Sequence, residues 1–204
     1  MSIILIRHGE TALNAARVLQ PADTPLSERG RRQAEAVAIR LAAMKIDGIV
    51  SSDLARAVET SRAIATATGL APRTSALLQE RNFGDLRGRA YDGLGFDPIA
   101  MEDAPPNGES MTVFNARVKQ VVALLCEWHG ASGGILAVVT HGLLIRTMVE
   151  WHLLLPAGMT APQWIANTSL TMFSAEPPHQ VSVINNTDHL SADLVDDVRA
   201  VSGV

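Results

Sequence analysis

The chain has 204 residues, 47% of them hydrophobic and 19% charged, with a formal net charge of −4 at pH 7. That length supports one sizeable core, so residues 1–204 read as a single domain. The mild acidity gives no basic field for nucleic acid, so any anion site must come from arginines gathered locally.

The N-terminus leads directly into Ile3-Ile4-Leu5-Ile6, with no signal-peptide features, and no apolar run reaches the ~18 residues of a membrane span. A cytoplasmic protein without membrane attachment is expected. The aliphatic run lacks alternation, which predicts a strand over residues 2–6 buried on both faces. It stops at Arg7-His8-Gly9-Glu10. In sheets with parallel strands, ligands sit beyond the carboxyl ends of the strands, so reactive groups stand where such a fold would use them. A helix follows, with Ser27 as its cap and Ala34, Val37, Ala38, Leu41 and Ala42 along one stripe. A strand at 48–50 runs into Ser51-Ser52-Asp53, where Asp53 is the expected N-cap of a helix over 54–68 ended by Gly69. Arg56 falls in the first turn of that helix. A cation there opposes the helix dipole unless it holds an anion.

A strand at 73–77 precedes "LLQERNFGDLRG". Glu80 lies between Leu77-Leu78 and Phe83, and burial among them would raise its pKa, as a general acid requires. A salt bridge to Arg81 or Arg87 is the plainer reading of that residue alone. Residues 84–108 are rich in Gly, Asp and Pro and read as a small loop and helix excursion, the kind of connection that forms lids and substrate loops. A helix over 111–129, capped by Ser110, carries Val118, Val121, Val122, Leu125 and Cys126 at helical spacing. The lone cysteine therefore reads as a small buried hydrophobe, and an internal disulfide is excluded. Strands at 135–140, 169–174 and 181–185 complete the alternation, with a helix after His141 and a frayed tail at 197–204. The pattern argues for a layered α/β fold.

"IILIRHG" is echoed by "ILAVVTHG" at 135–142. Both are buried-strand runs ending in His-Gly, so two histidines emerge at the same edge of one sheet. With "RHGET" and Asn14, "PLSERGRRQA", "SSDLARAVET", "ERNFGDLRG", "PPNGES", "VVTHGLLIR", "NTSLTMF" and "NNTDHL", the chain resembles the histidine phosphatase superfamily, the phosphoglycerate mutase-like branch with the R-H-G motif. The motifs occur in the family's order over nearly the whole chain. The resemblance implies a three-layer α/β/α sandwich with a mostly parallel central sheet. It implies that His8 takes the phosphoryl group, that Arg7, Arg56 and His141 surround the phosphate, and that Glu80 protonates the leaving oxygen. It implies further phosphate contacts from Asn14 and the backbone N–H of Gly142, and a substrate contact from Arg81. Glu109, at the family's G-E-S position, is at most a support behind the pocket.

The chemistry is consistent with those roles. An imidazole attacks phosphorus only through an unprotonated nitrogen, and a hydrogen bond at the other nitrogen fixes the tautomer. Two arginines neutralise the charge of a loose phosphoryl-transfer transition state. The scheme uses no cofactor and no metal, and His129, His152, His179 and His189 read as structural. The expected activity is hydrolysis of a small phosphorylated metabolite through a phosphohistidine. The alternatives are a cofactor-dependent phosphoglycerate mutase and a non-catalytic phospho-ligand binding module. Monomer and homodimer both stay open. Two departures, Pro21 where the family has Gly after "LQ" and a compact excursion before "GES", bear on substrate choice.

Overall fold

The computed structural model describes residues 2–195. The tail expected at 197–204 lies outside the described residues. In chain order the elements are β1 (Ser2–Arg7), α1 (Ala12–Ala15), α2 (Glu28–Met44), β2 (Gly48–Ser52), α3 (Ala55–Thr68), β3 (Pro72–Ser75), α4 (Met111–Ser132), β4 (Leu136–Thr140), α5 (Gly142–Trp151), β5 (Leu170–Ser174) and β6 (Val181–Asn186). Single 3₁₀ turns occupy Ala76–Leu78, Gly84–Leu86 and Tyr91–Gly93. The six strands form one sheet in the order β3-β2-β4-β1-β5-β6. The first four are mutually parallel, and β5 and β6 add an antiparallel edge.

The unbroken aliphatic run of β1 is explained by two cores. Ile3 and Leu5 pack with Phe114, Val118, Leu144 and Met148, on the face covered by α4 and α5. Ile4 and Ile6 pack with Val37, Leu41, Ala57 and Ile64, on the face covered by α2 and α3. Leu136 and Val138 of β4 join the first core, Ala137 and Val139 the second. Successive side chains point to opposite faces of a strand, so a central strand of a three-layer sandwich must be apolar at every position. No helix among the described residues is long and apolar enough to cross a membrane.

Three local expectations are revised. The strand expected at 73–77 ends at Ser75, because the Ser75 hydroxyl accepts the Leu77 N–H and starts a 3₁₀ turn. Asp53 does not cap α3. Leu54 holds that position without a side-chain hydrogen bond, and Asp53 accepts from the Gln79 amide instead. The short helix α1 was not foreseen, although its signal is present: Thr11 and Asn14 form a reciprocal capping box. Ser27 and Ser110 do cap α2 and α4, accepting from Gly30 N and Val113 N.

The turn after β1 is pinned by a close backbone approach. A Cβ on Gly30 would lie 2.0 Å from the Glu10 carbonyl oxygen, and one on Gly9 would lie 2.4 Å from that of Gly30. Only glycine tolerates such contacts. Ser27 reinforces the join, donating its N–H to the Glu10 carbonyl at 2.9 Å and its hydroxyl to the Glu10 carboxylate at 2.8 Å. The two residues that follow His8 are therefore held in place.

Candidate active site

Residue Arg7 of β1 pairs with Thr140 of β4, so the next residues, His8 and His141, leave the sheet side by side. Their ring centroids lie 5.1 Å apart. Both are fully buried. Nδ1 of His8 lies 2.7 Å from the carbonyl of Gly9, to which it donates, and this leaves Nε2 unprotonated. Nε2 accepts from Nε of Arg56 at 3.2 Å. Burial, then Arg56 and Arg7, push the His8 pKa well below 6.5. The ring is neutral with its lone pair directed at the Arg56 guanidinium.

Those guanidiniums are fixed from behind. Arg7 donates from Nη1 to the carbonyl of Ile165 at 2.5 Å. Arg56 donates from Nη1 to the carbonyl of Pro21 at 3.2 Å, which gives the unusual Pro21 loop a direct part in the site. Burial is the main cause that lowers the Arg56 pKa to about 10, with Glu80 acting in the opposite direction. It stays a cation at neutral pH.

His141 is the N-cap residue of α5 but makes no capping bond with its side chain. Its Nε2 lies 2.9 Å from the Ser52 hydroxyl. Among the described residues that ring nitrogen is the acceptor within reach of the buried Ser52 hydroxyl proton, so Ser52, which accepts the Leu54 N–H, donates to Nε2 of His141. The ring proton then sits on Nδ1, a buried atom with no protein partner among the described residues. Burial and Arg56 hold the His141 pKa well below 6.5. His141 therefore presents a neutral N–H donor.

Glu80 is buried at the start of α5. Its carboxylate accepts the N–H of Leu143 and that of Arg81, each at 3.0 Å. Burial still raises its pKa, outweighing those bonds and the pull of Arg56 and Arg7. The segment carrying Glu80 is clamped by Arg117, which donates to the carbonyls of Leu77, Gln79 and Glu80. Arg117 is held in turn by a forked pair with the Glu109 carboxylate at 3.0 and 2.8 Å. Glu109 thus supports Arg117, which no motif marks. Its position eight residues after Glu109, two turns along α4, is the signal that was available.

Asn14 and Gly142 lie on elements beside His8 and Arg7. The Asn14 carboxamide oxygen accepts the Thr11 N–H within the α1 capping box. Gly142 opens α5 against Arg7, where an added Cβ would meet its Nε at 3.3 Å. Arg81 is not brought to the phosphate side. Its guanidinium donates to the carbonyls of Glu109, Ile99, Met101 and Asp103, tying down the excursion. The closing motifs build the floor: Asn167 donates to the His8 carbonyl and the Thr168 N–H to that of Arg7. His189 meets the Thr168 hydroxyl at 3.3 Å, and burial lowers its pKa to about 4.

A histidine whose unprotonated nitrogen faces an arginine, a second buried arginine, a second neutral histidine and a raised carboxyl at the ends of parallel strands define a phosphoryl-handling site. The family model of the histidine phosphatase superfamily (branch 1) matches residues 3–187, and the chain belongs to that superfamily. The chain is 36% identical over 181 residues to "Probable phosphoglycerate mutase GpmB" of Yersinia pestis (strain Pestoides F), covering 84% of this chain and 83% of that one. The solved mycobacterial glucosyl-3-phosphoglycerate phosphatase in complex with VO3 superposes with a TM-score of 0.74 at 28% identity, covering 91% and 99% of the two chains. The α-ribazole phosphatase from Shigella flexneri gives 0.76 at 25% identity, covering 91% and 96%.

Proposed function

We propose that the chain hydrolyses phosphomonoesters through a phosphohistidine. The observation that carries this reading is the pair of hydrogen bonds on His8, which put the proton on Nδ1 and the lone pair on Nε2 beside Arg56. Nε2 bonds to phosphorus as the ester P–O bond breaks. Glu80, whose pKa burial raises, gives its proton to the departing oxygen. Arg7, Arg56 and the Nδ1–H of His141 hold the phosphoryl oxygens, with Asn14 and the Gly142 N–H as further contacts. Water then attacks phosphorus, Glu80 takes a water proton, and the P–N bond breaks to release inorganic phosphate. Splitting the reaction this way is covalent catalysis. A phospho-ligand binding module would need only the cationic cradle, and the buried acid is what supports turnover.

The second reading, a phosphoglycerate mutase, has the GpmB relatives in its favour. It uses the same phosphohistidine and differs in whether water reaches it. The site is tested by quenching labelled substrate without acid: the phosphoenzyme should be base-stable and acid-labile, and absent in His8→Ala. Label surviving acid, or retained in His8→Ala, places the nucleophile elsewhere.

A further inference from the structure

Beyond the phosphate seat the site opens into a cavity of about 820 Å³. That is within the range of cavities that take whole drug-sized ligands. Arg7 and Gly142 form its inner end, so a phosphoryl group on His8 would direct the rest of its substrate there. Its walls come from the excursion (Phe96, Asp92, Asp97), from α5 (Arg146, Glu150) and from the segment before β5 (Trp164).

The charges are mixed, unlike those of the seat. Beyond Arg7, the lining holds Arg17 and Arg146 against Asp92, Asp97 and Glu150. Both arginines are engaged: Arg17 pairs with Asp92 at 3.6 Å and lies over the Tyr91 ring at 5.7 Å, and Arg146 donates to the Gln163 carbonyl at 3.2 Å. No second cradle of the Arg7–Arg56 kind exists in this lining for another phosphate or a carboxylate. Meanwhile Phe96 is 48% exposed, a large aromatic facing open space on a wall of the cavity, and Trp164 is half-buried on another wall.

We infer that the leaving group is a bulky alcohol that bears no second anion and presents a flat apolar face to Trp164 and Phe96. This rests on the phosphatase reading for turnover, but the leaving-group preference is measurable by binding alone. The three carboxylates of the lining outnumber its two arginines beyond Arg7 and so do not favour the second anion of a phosphoglycerate, and a sugar phosphate without a flat group leaves both aromatic walls uncovered.

The experiment measures affinity calorimetrically on His8→Ala for three monoesters of primary alcohols: adenosine 5′-monophosphate, ribose 5-phosphate and 3-phosphoglycerate. The adenosine ester should bind at least tenfold more tightly than the other two. Adenosine 3′,5′-bisphosphate should bind at least tenfold more weakly than the monophosphate, and Trp164→Ala in the same background should bring the monophosphate to the level of ribose 5-phosphate. Equal affinities, tighter 3-phosphoglycerate, or no binding of the adenosine ester overturns the inference. Competition against p-nitrophenyl phosphate turnover in the unaltered chain gives the same ranking if His8→Ala does not fold. Phosphate release by the unaltered chain is scored separately. Binding in the expected order with no release from any ester removes the phosphatase reading and leaves the leaving-group assignment standing, whereas release with 3-phosphoglycerate preferred does the reverse.

Discussion

The Ser52 hydroxyl sits 2.9 Å from Nε2 of His141, on the side of the ring away from the unpartnered Nδ1. A neutral imidazole has one N–H, and the partner of the other nitrogen decides which one it is. The buried Ser52 hydroxyl has its own proton to place, and among the described residues Nε2 of His141 is the acceptor within reach, so Ser52 is the donor. In Ser52→Ala the tautomer is no longer imposed. The expected result is a loss of about tenfold in kcat/KM, the low end of what outer partners of functional histidines contribute. Nitrogen-15 NMR should show the His141 proton shifting from Nδ1 toward Nε2. An unchanged tautomer with unchanged kinetics would refute the role.

The pH profile follows from three buried groups. His8 and His141 are held well below 6.5, so the acid limb of kcat/KM should lie below the ordinary imidazole value. Glu80 is raised above 4.5 and must be protonated to act as the acid, so the alkaline limb reports its loss of a proton. Stability obeys the same linkage. In the unfolded chain the two histidines take up protons near 6.5, while in the folded chain they stay neutral. Their contribution is thus complete above pH 6.5 and is lost as pH falls below it. Glu80, raised in the folded chain, acts the other way as pH falls through its folded pKa, but it is one group against two, so the Tm should drop between pH 6.5 and 5, and inorganic phosphate should offset part of the drop.

Glu80→Gln separates acid catalysis from binding. General acid help is worth ~10²–10⁴-fold. Alkyl phosphates should lose activity on that scale, and aryl phosphates with good leaving groups should lose far less because they need little protonation. Equal losses on both classes would take Glu80 out of the role.

Arg81 holds four carbonyls of the excursion and its turn into α4. Hydrogen bonds from a charged donor contribute more than neutral ones, and their buried acceptors are costly to strand. Arg81→Ala should destabilise the fold by about 3 kcal/mol and speed proteolysis within residues 88–103. A variant with wild-type stability but a raised KM would return Arg81 to the substrate-contact role expected from the motif.

Much of this was legible in the sequence because strand runs and His-Gly echoes are local patterns. "IRHG" and "VTHG" end adjacent strands, and the register of Arg7 with Thr140 is what turns two motifs into one site. What escaped depended on distant partners. Asp53 has a capping side chain, yet it is drawn to Gln79, a residue 26 positions away. Arg81 has the chemistry of a substrate clamp, but carbonyls at 99, 101, 103 and 109 reach it first. Asn167 and Thr168 belong to a recognised motif, but that they carry the backbone of Arg7 and His8 is visible only once β5 lies against β1.

Hydrolysis rather than isomerisation is the outcome the excursion supports. A mutase must keep water from the phosphohistidine while its bound product turns over, and water exclusion is how enzymes protect reactive intermediates. The cover here is the segment from Arg87 to Asn107, whose regular structure is one 3₁₀ turn at Tyr91–Gly93. Asp92, Gly93, Gly95, Phe96 and Asp97 are all exposed along it. Its anchors are the backbone bonds of Arg89 and Tyr91 to Leu19 and Arg17 at one end and Arg81 beneath residues 99–103 at the other, and the exposed stretch 92–97 between them forms a rim. On the proposed reading such a rim neither attracts a bisphosphate nor seals the seat. Supplying 3-phosphoglycerate with catalytic 2,3-bisphosphoglycerate, and following 2-phosphoglycerate and free phosphate together, should give little isomer, while phosphate is released from monoesters with uncharged leaving groups. Robust isomerisation with negligible phosphate release would show that the rim closes in the complex, and would make the mutase reading the correct one.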